Sequence, residues 1–498
     1  MTINYIRRFC IFFIIGWQLS TIAAPQPSGT QADGQFRKVI LVSDKDLNGD
    51  DQTEDNLIDP MELSISKDGR VFYAQRNGEV HCWHPDTKKT TLVGSLKVFT
   101  GLEDGLLGIT LDPNFKENNY LYLFYAHPAT FVEHVNRKPR KKGYNLVSRF
   151  TLKNGKLDLS SEKEMIRIKT QRDECCHSGG SLTFDSKGNL YASVGDNTNP
   201  FASDGFAPID ERHGRFAWDA QKSSANANDL RGKILRITPQ ADGSIKIPDG
   251  NLFDDVNHGA RSEIYVMGNR NPFRISVDPK NGFLYWGEVG PDAGGRRENR
   301  GPAGYDEINQ ARGAGNFGWP HFIANNKPYN RYDFDAKKSL DAFLVPMPKN
   351  ISPNNTGINE LPSAQPAFIY YAHFPSVKWQ TLNAGGGRTA MAGPVYYFDE
   401  KLDSPNKLPE SYNHSLFIYE WSRNWIINVT LDENENIKKM ERFCSKMTFK
   451  RPMDMEMGPD GCLYIIEWGT AWEKIKTLKL SVLNMTQVFR HLLANSSK

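Results

Sequence analysis

One hairpin-like stretch recurs through this chain, and it limits the fold more than any other feature. Asp59-Pro-Met-Glu-Leu-Ser-Ile-Ser-Lys-Asp-Gly-Arg-Val-Phe-Tyr is echoed by Arg451-Pro-Met-Asp-Met-Glu-Met-Gly-Pro-Asp-Gly-Cys-Leu-Tyr. Asn271-Pro-Phe-Arg-Ile-Ser-Val-Asp-Pro-Lys-Asn-Gly-Phe-Leu-Tyr and Gly180-Ser-Leu-Thr-Phe-Asp-Ser-Lys-Gly-Asn-Leu-Tyr follow the same plan. A looser copy starts at Leu107, and Ser415-Leu-Phe-Ile-Tyr-Glu-Trp reads as the second strand of another. Each copy is an alternating strand, a turn bearing Asp, Pro or Gly, and an aromatic-rich strand. About six such hairpins predict an all-β, six-bladed propeller with long loop insertions, ahead of a sandwich. The first and last copies are the most alike, as expected if the two ends of a ring meet. Helical periodicity is weak except between Glu473 and Leu493.

The propeller is expected over residues 59–470, after a lead-in at 25–58 and before a tail at 471–498 read as a docking helix or linker. Residues 1–24 read as a signal peptide: Arg7 and Arg8, an apolar run from Phe9 to Trp17, then small residues at Thr21, Ala23 and Ala24. That run is short for a membrane span, so the expectation is an exported protein, periplasmic or secreted, without stable membrane insertion. A net charge of +3 over 498 residues gives no reason to expect a nucleic-acid partner. Asp44-Lys-Asp-Leu-Asn-Gly-Asp-Asp follows calcium-loop spacing as far as Gly49, but Asp55 stands where a bidentate Glu belongs, so a solvated acidic turn is the preferred reading.

The chemistry is expected in the insertions. His177 precedes Gly-Gly, and the strand Leu190–Val194 delivers Asp196 at its far end, so imidazole and carboxylate can meet across one hairpin. The carboxylate would then set the tautomer of a general base. Arg270 and Asn271 stand immediately before a strand, a position from which a cation and an amide donor can face developing negative charge. Gly290-Pro-Asp exposes backbone carbonyls suited to calcium, and Asp306 and Glu307 add two carboxylates. Export permits disulfides, and five of the six cysteines lie beyond the signal segment. Cys175 and Cys176, abutting His177, are either a vicinal disulfide or two packed thiols.

These motifs, in this order, resemble the soluble PQQ-dependent glucose/sorbosone (aldose sugar) dehydrogenases. Glu103-Asp-Gly-Leu-Leu-Gly, His177-Ser-Gly-Gly, Gly195-Asp196, Leu230-Arg-Gly-Lys-Ile-Leu-Arg-Ile, Gly268-Asn-Arg-Asn-Pro, Gly290-Pro-Asp, Asp306-Glu-Ile-Asn and Asn316-Phe-Gly-Trp-Pro carry the resemblance. It implies a propeller holding pyrroloquinoline quinone (PQQ) and calcium, and hydride transfer from C1 of an aldose. It assigns His177 as base, Asp196 as its orienting carboxylate, and Arg270 and Asn271 to the quinone. Arg451 would clamp a quinone carboxylate, while Gly290 and Pro291 would supply carbonyls to the metal. Arg388 and Arg423 are further cofactor candidates, the latter beside an unmatched family Lys. Glu103 is a further cofactor-binding candidate, although it stands where glucose-oxidising members carry Gln. No haem motif is present, so the electron acceptor, a cytochrome or quinone, would be separate. Two other readings stay open: a calcium lactonase-type hydrolase and a non-catalytic binding propeller.

Overall fold

In the computed structural model, the described residues are 35–44, 57–135, 138–254, 259–383, 386–470 and 478–485. The segment read as a signal peptide and the Asp44–Asp55 loop beyond residue 44 lie outside them. Six sheets surround an axis. Their innermost strands are Pro60–Ile65, Leu106–Leu111, Gly179–Phe184, Pro272–Val277, Ala390–Tyr396 and Pro452–Met457. Each packs against the next, and Pro452–Met457 packs back on Pro60–Ile65, closing a six-bladed β-propeller. Among the described residues no helix is long and apolar enough to cross a membrane.

Each innermost strand is antiparallel to a second strand, and these second strands explain the aromatic half of the repeat. Val71–Gln75, Leu190–Val194, Leu284–Glu288, Ser415–Glu420 and Leu463–Glu467 are buried at every position. A blade is covered on both faces by its neighbours, so polar alternation gives way to a continuous apolar run. Tyr73, Tyr191, Tyr285, Trp286 and Tyr419 are almost fully enclosed, each burial contributing about 1.5–3 kcal/mol.

The strand Ala390–Tyr396 was not evident in the sequence. It is buried throughout, so it shows no alternation, and its hairpin reaches Ser415 only after a long loop. The tail reading is corrected. Lys479–Met485, inside the stretch with helical periodicity, is a strand paired with Leu463–Glu467 on one side and with Phe36–Ser43 on the other. Its apolar positions, Leu480, Val482 and Leu483, fill the last blade, and tertiary pairing overrides the local period. The sixth blade is therefore completed by strands from both ends of the chain, and the propeller extends beyond 59–470 on both sides.

A second regularity underlies the site. In four blades the second strand ends in an acid or amide that accepts backbone N–H groups from the segment leading into the innermost strand. Glu288 accepts from Arg270 and Asn271 at 2.7 and 2.6 Å, and Glu467 from Lys450 at 2.6 Å. Glu420 takes Thr389 and Arg423, and Gln75 takes Ile58. These groups hold four of the leading segments at one end of the ring, where backbone N–H groups would otherwise lack partners.

Candidate active site

The leading segments contribute Asp59, Asp104, His177, Arg270, Arg388 and Arg451, one from each blade. Direct contacts join them into one face. Ser178 donates to Asp104 at 2.8 Å, the Gly179 N–H to the Asn271 side-chain carbonyl at 3.1 Å, and Trp468 to Asp59 at 2.6 Å.

The hairpin brings His177 and Asp196 together as expected. Gly179 pairs with Val194, so residues two beyond each lie opposite one another, and His177 Nδ1 is 2.8 Å from Asp196 Oδ1. Asp196 is fully buried yet well solvated by donors. The Thr198 N–H reaches the same oxygen at 2.9 Å, and the Trp319 indole N–H reaches Oδ2 at 3.0 Å. With Nδ1–H held by the carboxylate, the lone pair of the neutral ring resides on Nε2, the arrangement a base needs.

Trp319 escaped the sequence reading, although it lies in the Phe-Gly-Trp-Pro motif, because nothing in the sequence indicates a contact 123 residues away. Replacing Trp319 with Phe keeps the ring and removes one donor to a buried charge. We expect kcat to fall about tenfold with the sugar KM unchanged, read by steady-state kinetics.

Cys175 and Cys176 are joined by a disulfide. Their sulfurs and the Glu103 carboxylate lie within 4.8 Å of one another. Bonded sulfurs are not thiolates, so this group is not a metal site. Asp104, beside Glu103, is a buried residue the sequence did not single out. It accepts from Ser178 and, at 3.2 Å, from Asn145, and burial pushes its carboxyl upward.

The arginines divide into two sets. Arg270 is buried and donates to the Val289 carbonyl at 2.7 Å. Arg451 lies over Trp421, 4.2 Å from the ring centre, and among the described residues its buried Nη1 has no hydrogen-bond partner. By contrast Arg423 spends its nitrogens on three carbonyls, Gly387 at 2.8 Å, Leu382 at 3.0 Å and Ala372 at 2.9 Å. Arg388 donates to Gly304 and, at 2.7 Å, to Pro291. Both guanidiniums tie loops together.

The four residues expected at the metal already have partners within the protein. The Pro291 carbonyl already accepts from Arg388. Asp306 accepts the N–H groups of Gly290 at 3.1 Å and Ala390 at 3.0 Å. Glu307 holds Ala324 N–H and, at 3.0 Å, Asn309. Burial pushes Asp306 up to about 6 and Glu307 up to about 7, which suits shared protons and inward hydrogen bonds. Of the expected donors only the Gly290 carbonyl lacks a hydrogen bond among the described residues. The residues do fit a flat polycarboxylate. The orphaned Arg451 guanidinium matches a carboxylate, Trp421 and Trp468 frame it 5.4 Å apart, and Arg270 stands across the same face.

Fold and site thus define a six-bladed propeller with a carboxylate-oriented histidine and two arginines, Arg270 and Arg451, on one face, an arrangement suited to proton abstraction beside an anionic cofactor. The chain belongs to the Glucose / Sorbosone dehydrogenase family, which it matches over residues 57–354, and is an oxidoreductase. It is 28% identical over 428 residues to "Aldose sugar dehydrogenase YliI" of Escherichia coli (strain K12), covering 85% of this chain and 91% of that protein. It is 26% identical over 295 residues to "Quinoprotein glucose dehydrogenase B" of Acinetobacter calcoaceticus, covering 57% and 56% of the two chains. The PQQ-bound aldose sugar dehydrogenase of Streptomyces coelicolor shares the fold, with a TM-score of 0.54 at 16% identity over 91% of this chain and all of that one.

Proposed function

We propose that the protein oxidises the C1 hydroxyl of an aldose to the lactone, with PQQ as the cofactor. The observation that carries this reading is the His177–Asp196 pair on the face that also presents Arg270 and the unpartnered Arg451. His177 Nε2 takes the hydroxyl proton while Asp196 holds Nδ1–H and stabilises the imidazolium that results. When bound, PQQ supplies a two-electron acceptor for the C1 hydride. Arg451 and Arg270 hold it by charge, and Asn271, fixed through the Gly179 N–H, lines the same rim. We derive no step through calcium. The Cys175–Cys176 ring beside His177 offers that cofactor a rigid apolar edge, and its presence supports export to an oxidising compartment.

The test is dye-linked oxidation by the full chain loaded with PQQ, with a panel of aldoses and lactone appearance followed in parallel. Oxidation of no aldose, or hydrolysis of lactones at a higher rate, would overturn the reading. A companion expectation concerns Arg451. Replacing it with Met should weaken PQQ binding roughly 10- to 100-fold, the worth of a charge-assisted hydrogen bond, measured by absorbance titration of the apo-protein. Affinity within twofold of the parent would remove Arg451 from the cofactor site.

A further inference from the structure

Lys222 is buried, and among the described residues no carboxylate receives its ammonium. Its Nζ donates to the Thr198 hydroxyl at 2.8 Å, to the Asn197 carbonyl at 3.3 Å and to the Asp219 carbonyl at 3.4 Å. Burying a cation on neutral acceptors is costly, and the side chain could fill the same space as Met without that cost. The position of those acceptors explains the residue. Asn197 and Thr198 form the turn that follows Asp196, and Asn197 is held in left-handed backbone conformation, φ 50°. Thr198 donates its N–H to Asp196 Oδ1 at 2.9 Å and its hydroxyl to the Asp196 carbonyl at 3.2 Å. Lys222 therefore grips, from beneath, both residues that set the direction of the Asp196 carboxylate.

The lysine is itself fixed from a distance. It ends a short 3-10 turn, Ala220–Lys222, whose cap is Asp219. Asp219 is anchored by Ser352 at 2.5 Å and Asn354 at 2.9 Å. The charged groups facing Lys222 are Arg231, which is paired with Asp229 at 2.6 Å and donates to Asn197 at 3.0 Å, together with Asp196, Asp219 and Asp229. Burial and Arg231 push the lysine down to about 7, with Asp196, Asp219 and Asp229 opposing them. Its charge is present below that pH and is lost above it.

We propose that Lys222 is a positioning residue for the base: by clamping the Asp196–Thr198 turn it fixes the carboxylate that in turn fixes the His177 ring. This rests on the reading of His177 as the base. It also assigns a task to the long insertion between the second and third strands of this blade, which carries Lys222 under the site.

Three variants of the full chain test it: Lys222→Met, Lys222→Arg and Thr198→Val. With PQQ bound, Lys222→Met and Thr198→Val should each lower kcat about tenfold, leaving the sugar KM, PQQ affinity and melting temperature near parental values. Lys222→Arg should recover at least about a third of parental kcat, since guanidinium can keep donating to the same turn. A second readout needs neither cofactor nor sugar. In apo-protein the downfield proton resonance of the His177–Asp196 hydrogen bond should be present in the parent and in Lys222→Arg, and shifted or broadened in Lys222→Met. Parental kcat and an unmoved resonance in Lys222→Met would overturn the proposal. So would a kcat loss matched by a fall in melting temperature in all three variants, since that pattern marks a merely structural lysine. If the parent oxidises no aldose, it is the functional reading that fails, and the resonance alone decides the role of Lys222.

Discussion

Substitution of His177 by Ala is expected to lower kcat/KM for aldose oxidation roughly 10²- to 10⁴-fold, the range a positioned general base contributes. PQQ affinity should stay near that of the parent, because the groups that would bind it by charge, Arg270 and Arg451, lead two other blades. The two measurements separate the roles: a base acts in the transition state, whereas the arginines act on binding. Activity within threefold of the parent would remove His177 from the mechanism. A parallel loss of PQQ binding would show instead that the ring supports the cofactor cradle.

The largest effect on stability is expected at Arg274. This side chain is almost fully enclosed on the propeller axis and donates to the Met453 carbonyl at 3.0 Å and the Met61 carbonyl at 2.6 Å. It is 3.5 Å from Asp454, and its charge also acts on Glu62. Both carboxyls are pushed above their ordinary range by burial, with Arg274 opposing that shift. Arg274→Met leaves two buried carboxyls without their cation, which should cost about 3–5 kcal/mol. Because groups with raised folded-state pKa bind more protons folded than unfolded, the loss should be smaller at pH 5 than at pH 8. Denaturant melts at the two pH values check this. A pH-independent loss below about 1 kcal/mol would show that the cluster is not held by the arginine.

Much of this architecture could be read from residues alone, for a physical reason. A blade must be buried on both faces, so the repeated Val-Phe-Tyr and Phe-Leu-Tyr runs mark second strands, and the turns between them carry Asp and Gly. The His177–Asp196 contact was legible because one hairpin supplies both partners at matched distances from its turn. What stayed hidden depends on separation. Trp319, Asp104 and Lys222 reach the site from other blades or from a long insertion, and no spacing rule connects them to it. Donor engagement is equally invisible in a sequence. Arg388 and Arg423 look like ligand residues in a sequence, and only the carbonyls around them show that their donors are engaged. Glu420 and Glu467 could have been noticed, since Tyr419-Glu420-Trp421 and Ile466-Glu467-Trp468 end second strands alike, but their partners are backbone N–H groups, which the sequence does not distinguish.

The sixth blade has a bearing on how such a molecule comes into being. Strand Lys479–Met485 hydrogen-bonds both to its predecessor in the chain and to Phe36–Ser43, which is made long before it. At about 5–20 residues per second the ribosome needs roughly 20 to 90 seconds to travel from residue 43 to residue 479. Throughout that interval Phe36–Ser43 has no partner strand, and five blades can assemble but not seal. The circle is therefore finished only after the last strand emerges, and the slowest contact to form joins the most distant parts of the sequence. Until then two exposed strand edges are open to strands of another chain.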